Sequence, residues 1–194
     1  VLDVRRRAGN RLLAYQFGSS LLEVLVAILV MSFGLLALGG LSASAQQYVK
    51  MSQFQSIAMQ LASQLGERMR GNVEAFERGS YNKTTAYAAY STGTLTASTC
   101  AASSCTSAEI AAIDMTAWTA ELRNRLPGGD AFVRRDPVNL LTTDIWILWI
   151  DPGSLPGDHG ELSVAAAADC PEEALSGLHA GDPMPRCMHY RISP

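Results

Sequence analysis

The chain has 194 residues, 48% of them hydrophobic and only 17% charged, with a net charge of −3. That length accommodates one modest domain plus an appendage. The acidic balance, with a pI near 5.6, excludes nucleic-acid binding driven by charge alone.

Charge is unevenly placed. Before Gly18 the chain carries Arg5, Arg6, Arg7 and Arg11 against a single acid, Asp3, whereas Val24 to Leu41 carries no charge. This apolar run meets the length of a membrane-spanning helix, for which roughly 20 residues suffice. Short arginine-rich flanks stay in the cytoplasm, and the next charge after the run is Lys50. Everything from about Gln46 onward is therefore expected outside the inner membrane. Glu23 stands at the mouth of the run, where a carboxylate carried to mid-bilayer would cost roughly 2.5–3.5 kcal/mol. A segment that only anchors or exports would avoid it, so the charge is expected to have a use.

Two plainer readings compete. A basic start, an apolar core and Ala43-Ser44-Ala45 also describe a secretory signal peptide, cut after Ala45 to free Gln46 as the start of a soluble periplasmic binding module. Against this stand a long basic region, Glu23 beside the apolar core, and an apolar run beyond the 7–15 residues typical of such signals. An uncleaved membrane anchor is the other.

No proline occurs before Pro127, so one helix is predicted from about Leu21 to Met69 or Arg70. Roughly 50 residues would span about 75 Å. Its first half is apolar all round, as lipid or a helix bundle requires. Gly34, Gly39 and Gly40 lie within it, either permitting bending and close helix approach or serving as ordinary small residues of membrane helices. After Gln46 the pattern turns amphipathic. Phe54, Ala58, Leu61, Leu65 and Met69 recur at three- and four-residue spacing and are read as the face that docks a globular head. Gly71-Asn72 ends the helix.

Residues 80–106, rich in Ser, Thr, Ala and Tyr, read as an exposed, variable loop. Thr106-Ser107-Ala108-Glu109 fits a capping box and predicts a second helix. Its buried stripe is read as Ile110, Ile113, Ala117 and Leu122, with Trp118 and Leu126 nearby, and Pro127-Gly128-Gly129 stops it. Ala131 to Arg135 is a candidate strand. Asp144 to Asp151 is apolar on both alternations and reads as a central strand covered on two sides. Cys187 to Ser193 alternates Met188, Tyr190 and Ile192 against His189 and Arg191, a half-buried strand. Asp136-Pro137 and Asp151-Pro152 read as turns. The fold class is α+β, a long N-terminal helix against a small antiparallel sheet with one further helix.

The four cysteines, Cys100, Cys105, Cys170 and Cys187, are an even number in a compartment that permits disulfides. Three pairings are possible, of which the local ones, Cys100–Cys105 and Cys170–Cys187, are favoured. No CxxC pair and no histidine at ligand spacing suggests zinc. No catalytic constellation stands out: His159, His179 and His189 are scattered, Asp158-His159 sits in a Gly/Pro-rich loop, and neither G-x-S-x-G, H-E-x-x-H nor a P-loop lysine occurs. Asp151, Asp158 and Glu161 match no calcium-loop pattern. The chain is therefore not expected to be an enzyme, and no cofactor or metal is expected.

Gly18-Ser19-Ser20-Leu21-Leu22-Glu23-Val24-Leu25-Val26-Ala27 resembles the prepilin signature of type IV pilins and type II secretion pseudopilins. The resemblance implies cleavage between Gly18 and Ser19 by the prepilin peptidase on the cytoplasmic face, and methylation of the new amine on Ser19. It places Glu23 fifth, where the family's glutamate meets a free terminal amine and sets the register of a joining subunit. Ser19 departs from the usual phenylalanine or methionine, a departure that bears on methylation more than on cleavage. The segment from Ile113 to Trp118 and Leu126-Pro127-Gly128-Gly129, followed by a strand and a Trp-rich strand, resembles the minor pilins called PilV, the type IV pilus modification proteins. The implied organisation is a leader over 1–18, a transmembrane polymerisation helix over 19–70 and an extracytoplasmic head over 71–194. The implied role is a minor-pilin tip or priming complex for pilus assembly, with a minor pseudopilin of type II secretion as the alternative. The implied partners are the prepilin peptidase, the inner membrane, other minor pilins, the major pilin and a PilY-type adhesin, with no nucleic acid and no small-molecule substrate. The implied location is a single pass through the inner membrane with cytoplasmic N-terminus and periplasmic head, then the pilus.

Overall fold

The structure, a computed structural model, describes residues 21–88, 95–96, 99–100, 104–151, 170–179 and 181–194. The chain divides into two compact units, Val1–Ala45 and Gln46–Pro194.

Helix α1 runs unbroken over Leu21–Gly71, with Glu23 in its first turn and Arg68 and Arg70 in its last. Both ends thus complement the helix dipole. In the first unit, the described part of α1 is exposed on every face. In the second unit one face is buried: Ala58, Leu61, Ala62, Leu65, Gly66 and Met69, which carries the predicted docking stripe, with Phe54 packed beside it. The helix ends where expected, at Gly71. A short helix α2, Val73–Glu77, follows. It closes on Gly79, whose φ of 73° a side-chain-bearing residue rarely adopts.

Helix α3 spans Ser107–Arg125 and begins with the predicted capping box, Thr106 and Glu109 satisfying each other's backbone N–H groups. Its buried face is rotated from the expected one. Ala111, Trp118, Thr119 and Leu122 are buried and Met115 packs on the core, whereas Ile110 is 41% exposed and Ala117 is exposed. Trp118 sets the rotation: its Nε1 donates to the Leu61 carbonyl of α1 at 2.8 Å, and Ala111, two turns earlier on the same side of the helix, is turned inward with it while Ile110 is left toward solvent. After α3 the chain turns so tightly that a Cβ on Gly129 would lie 2.5 Å from the Leu122 carbonyl oxygen.

Three antiparallel strands follow, β1 Asp130–Arg135, β2 Thr143–Trp149 and β3 Arg186–Ile192, in the order β1-β2-β3. The register sets Val133 opposite Ile145 and Ile145 opposite Tyr190. Every residue of the central strand β2 is buried, as its double apolar alternation implied. One face of the sheet (Ala131, Val133, Ile145, Ile147, Trp149, Met188, Tyr190, Ile192) joins the stripe of α1 and Trp118 of α3 in the main core. The other face (Phe132, Trp146, Leu148, Cys187) is covered by Tyr87 and Ala174, the latter in the short helix α4, Glu172–Leu175. The protein is thus an α+β fold in which the second half of a long helix floors a small antiparallel sheet.

Within 80–106, of which 89–94, 97–98 and 101–103 lie outside the described residues, two tyrosines depart from the exposed loop expected there. Tyr81 is 2% and Tyr87 1% exposed, and Lys83 exchanges two backbone hydrogen bonds of 2.8 Å with Val133, capping the β1 edge. The aromatic rings found partners that the polar composition around them hid.

Candidate functional site

The first candidate is α1 from Leu21 to Ala45. It holds a window long and apolar enough to cross a membrane, none of it buried within the chain. Leu21, Leu36 and Val30 are 79, 73 and 62% exposed. Two of its serines turn inward on the backbone: Ser32 Oγ donates to the Ile28 carbonyl at 2.8 Å and Ser44 Oγ to the Gly40 carbonyl at 3.3 Å. Such bonds remove hydroxyls that lipid could not satisfy. A Cβ on Gly34, Gly39 or Gly40 would touch nothing within 4 Å, so the chain's own packing makes no demand for a small residue there. A helix this apolar needs an apolar surrounding, which the described residues do not supply. The residues therefore fit a single-pass membrane anchor. Glu23 lies exposed in the first turn; Gly18 and Ser19 lie outside the described residues.

The second candidate is the charged end of the outer sheet face. Asp144 accepts two hydrogen bonds from Arg191, from Nε at 2.8 Å and Nη2 at 3.0 Å, and its Oδ1 lies 2.8 Å from His189 Nε2. Arg191 also reaches Asp136 at 3.1 Å. The Arg191 guanidinium holds the Asp144 carboxyl below the usual carboxylate range, His189 adds to this, and burial opposes it. The backbone N–H groups of Asn139 and Val138 do the same for Asp136. Beside this cluster His189 stacks on Trp146 at 4.8 Å, and Arg134 lies over the Trp146 and Phe132 rings at 5.7 and 5.9 Å. The sequence marked His189 and Arg191 only as the outward face of a strand. Asp144 joins them through a register that no local pattern announces.

Both disulfides are the local ones, Cys100–Cys105 and Cys170–Cys187, with Cα atoms 5.1 and 5.7 Å apart. His179 donates its backbone N–H to Asp182 Oδ2 at 2.9 Å, and Asp151 accepts from Trp149 Nε1 at 3.0 Å and pairs with Arg186. His159, Asp158 and Glu161 lie outside the described residues. Among the described residues, no three His, Cys, Asp or Glu side chains are placed to share a metal ion.

A half-buried polar junction ties α1 to α3 through Tyr81. Tyr81 donates to Asp114 Oδ2 at 2.8 Å, and Asp114 Oδ1 pairs with Arg68 at 3.3 Å. Burial, and then the bond to Asp114, push the Tyr81 phenol up to about 12. A folded-state pKa above the unfolded value near 10 means that the junction's contribution is complete below pH 10 and is lost as pH rises through about 12. One of the six tyrosines is therefore expected to ionise near pH 12 in an ultraviolet titration, together with alkaline loss of stability. Tyr81→Phe should flatten that loss and cost about 1 kcal/mol at neutral pH.

No family model matches the chain, and neither curated proteins nor solved structures give a significant match.

Proposed function

We propose that the chain is a minor type IV pilin of the PilV kind, made as a prepilin and acting as a non-enzymatic assembly subunit. The observation that carries this reading is the continuity of α1. The same helix presents an apolar, exposed surface from Leu21 to Ala45 and then becomes the floor of an α+β head. A signal peptide cut at Ala45 would discard half of a helix that has no break there.

On this reading the prepilin peptidase removes residues 1–18 and methylates Ser19, and residues 19–70 span the membrane and bundle with other pilins. The head, residues 71–194, lies in the periplasm until the subunit enters a tip or priming complex with other minor pilins, the major pilin and a PilY-type adhesin. In a dry helical bundle a carboxylate must be paired, and Glu23 meets a terminal amine and fixes the register of the joining subunit.

The deciding experiment is the mass of the amino-terminal peptide of the protein purified from membranes. The expected terminus is Ser19, heavier by one methyl group. A terminus at Gln46 would sink the reading. An intact terminus that persists with the peptidase co-expressed would leave a simple anchor.

A further inference from the structure

The hairpin between β1 and β2 carries no charge from Pro137 to Thr143 and turns apolar side chains to the solvent. Val138 is 92% exposed, more than any large apolar residue of α1, and Leu140 and Leu141 are 53 and 68% exposed. A single exposed leucine is ordinary, but three such residues within four positions form a patch. The turn that carries them is held in one shape. Asp136 Oδ1 accepts from the Val138 and Asn139 N–H groups at 2.8 and 3.1 Å, and Asn139 Oδ1 accepts from the Leu141 N–H at 3.2 Å. The Asp136 N–H donates to the Thr142 carbonyl at 3.0 Å, and the Thr142 N–H to the Asn139 carbonyl at 2.9 Å. From outside the turn, Arg135 Nε donates to the Leu140 carbonyl at 2.7 Å and Ser193 Oγ to the Leu141 carbonyl at 3.2 Å. An apolar tip on a fixed turn avoids the ordering cost that a flexible loop would meet on binding.

The bonding of the turn names the occupant. The N–H groups of Asp136, Val138, Asn139, Leu141 and Thr142 are all bonded within the chain. A protein interface carries roughly one hydrogen bond per 100–200 Å², and this tip has little left to donate to one. Hydrocarbon is the opposite case. It supplies no hydrogen bonds and penalises each polar group that lacks one, so a turn that satisfies its own backbone beneath apolar side chains is suited to it. Charge takes no part. At the base of the hairpin, Arg134 pairs with Glu173, and Arg191 with Asp136 and Asp144. Arg135 spends its guanidinium on the Leu140 and Glu77 carbonyls. The lipid is therefore met through its acyl chains and not through an anionic headgroup. The hairpin also stands at an extremity. β3 runs beside α1 from Met51, whose sulfur accepts from Arg186, to Gly66, where an added Cβ would meet Ile192 at 3.0 Å. Ile192 lies opposite Thr143, so the tip projects where α1 finishes.

We propose that the tip formed by Val138, Leu140 and Leu141 is a bilayer-insertion loop, which enters the acyl region of a lipid membrane whatever the headgroup charge. The hairpin alone supports this, independently of the pilin reading.

The test holds the full chain by α1 in phosphatidylcholine nanodiscs and adds phosphatidylcholine vesicles with brominated acyl chains, which quench tryptophan on contact. Flotation of the discs with the vesicles measures the affinity. Leu140→Trp places a reporter in the tip, and the three native tryptophans are buried. The reporter should be quenched by the vesicles, or already in discs of brominated lipid if the tip reaches the membrane that α1 spans, while the wild-type chain changes little. Replacing Val138, Leu140 and Leu141 together by serine should weaken binding roughly a hundredfold. The Ile145 and Ile147 amides should stay protected from exchange in that variant, because none of the three side chains belongs to a core cluster. Adding phosphatidylglycerol or raising the salt should change the affinity by less than about threefold. Binding that the serine variant shares, or that requires anionic lipid, overturns the proposal. So does a reporter left unquenched by both discs and vesicles, which would leave the tip to an apolar pocket of another protein. Reporter emission that shifts with protein concentration in the absence of vesicles would mean a second copy and overturns it as well.

Discussion

Replacing Trp118 by alanine is expected to cost the head about 3–5 kcal/mol, a large part of the stability of a domain of this size. The side chain is fully buried and stands where α3 meets α1. It belongs to the same core cluster as Leu61, Leu65 and Leu122. Its removal leaves a cavity that two helices and a sheet cannot all collapse into, because each is held by its own backbone bonds. It also removes the indole donor to the Leu61 carbonyl, 2.8 Å away. Trp118→Phe separates the two effects. The ring keeps most of the volume, so the loss should fall to about 1–2 kcal/mol, the range of a lost hydrogen bond plus a small void. Urea unfolding of the full chain in micelles, followed by tryptophan-independent circular dichroism, measures both. A loss below about 1 kcal/mol for the alanine variant would show that α3 is not anchored through this residue.

The second large effect concerns Cys170–Cys187. Replacing both residues by serine should cost about 3 kcal/mol on the chain-entropy argument for a loop of this length, the two cysteines being 17 residues apart. The bond fastens β3 to the segment entering α4, and α4 in turn covers the outer face of the sheet through Ala174. The expected signature is therefore local. The Tyr87 N–H, bonded to the Ala174 carbonyl at 2.8 Å, should lose exchange protection, while the Ile145 and Ile147 amides in β2 keep theirs. Cys100–Cys105 closes a loop of separation 5 and neither cysteine belongs to a core cluster. Its removal should leave the protection of both faces unchanged. Loss of β2 protection in the Cys170/Cys187 variant would show instead that the two faces unfold as one unit.

Elements governed by neighbours in the chain were legible. The helix of α1 needed only the absence of proline and a shift from all-round to one-sided apolarity at Gln46. The start of α3 needed only Thr106 and Glu109. The central place of β2 followed from two apolar alternations in one strand. The disulfide partners were favoured on proximity alone, and the structure pairs them so. What failed in the sequence reading failed for one kind of reason. Ile110 was expected inside because it is apolar, yet the bond from Trp118 to α1 set the rotation of α3 and turned Ala111 inward instead. Tyr81 and Tyr87 sat in a polar stretch, yet Asp114 and Gly128 offered acceptors to their hydroxyls, so the rings could be buried.

The candidate sites divide in the same way. Glu23 at the head of an uncharged run is visible in the sequence, because the cost of burying a charge depends on the residues around it in one helix. The sequence also determined the long helix, the class of the fold and the order of the strands along the chain. Only the tertiary structure decided that Asp144 meets His189 and Arg191 and that Lys83 closes the β1 edge of the sheet. Those pairings join residues 45 to 50 positions apart. They depend on strand register and chain closure, which the whole core sets at once and which no local spacing records.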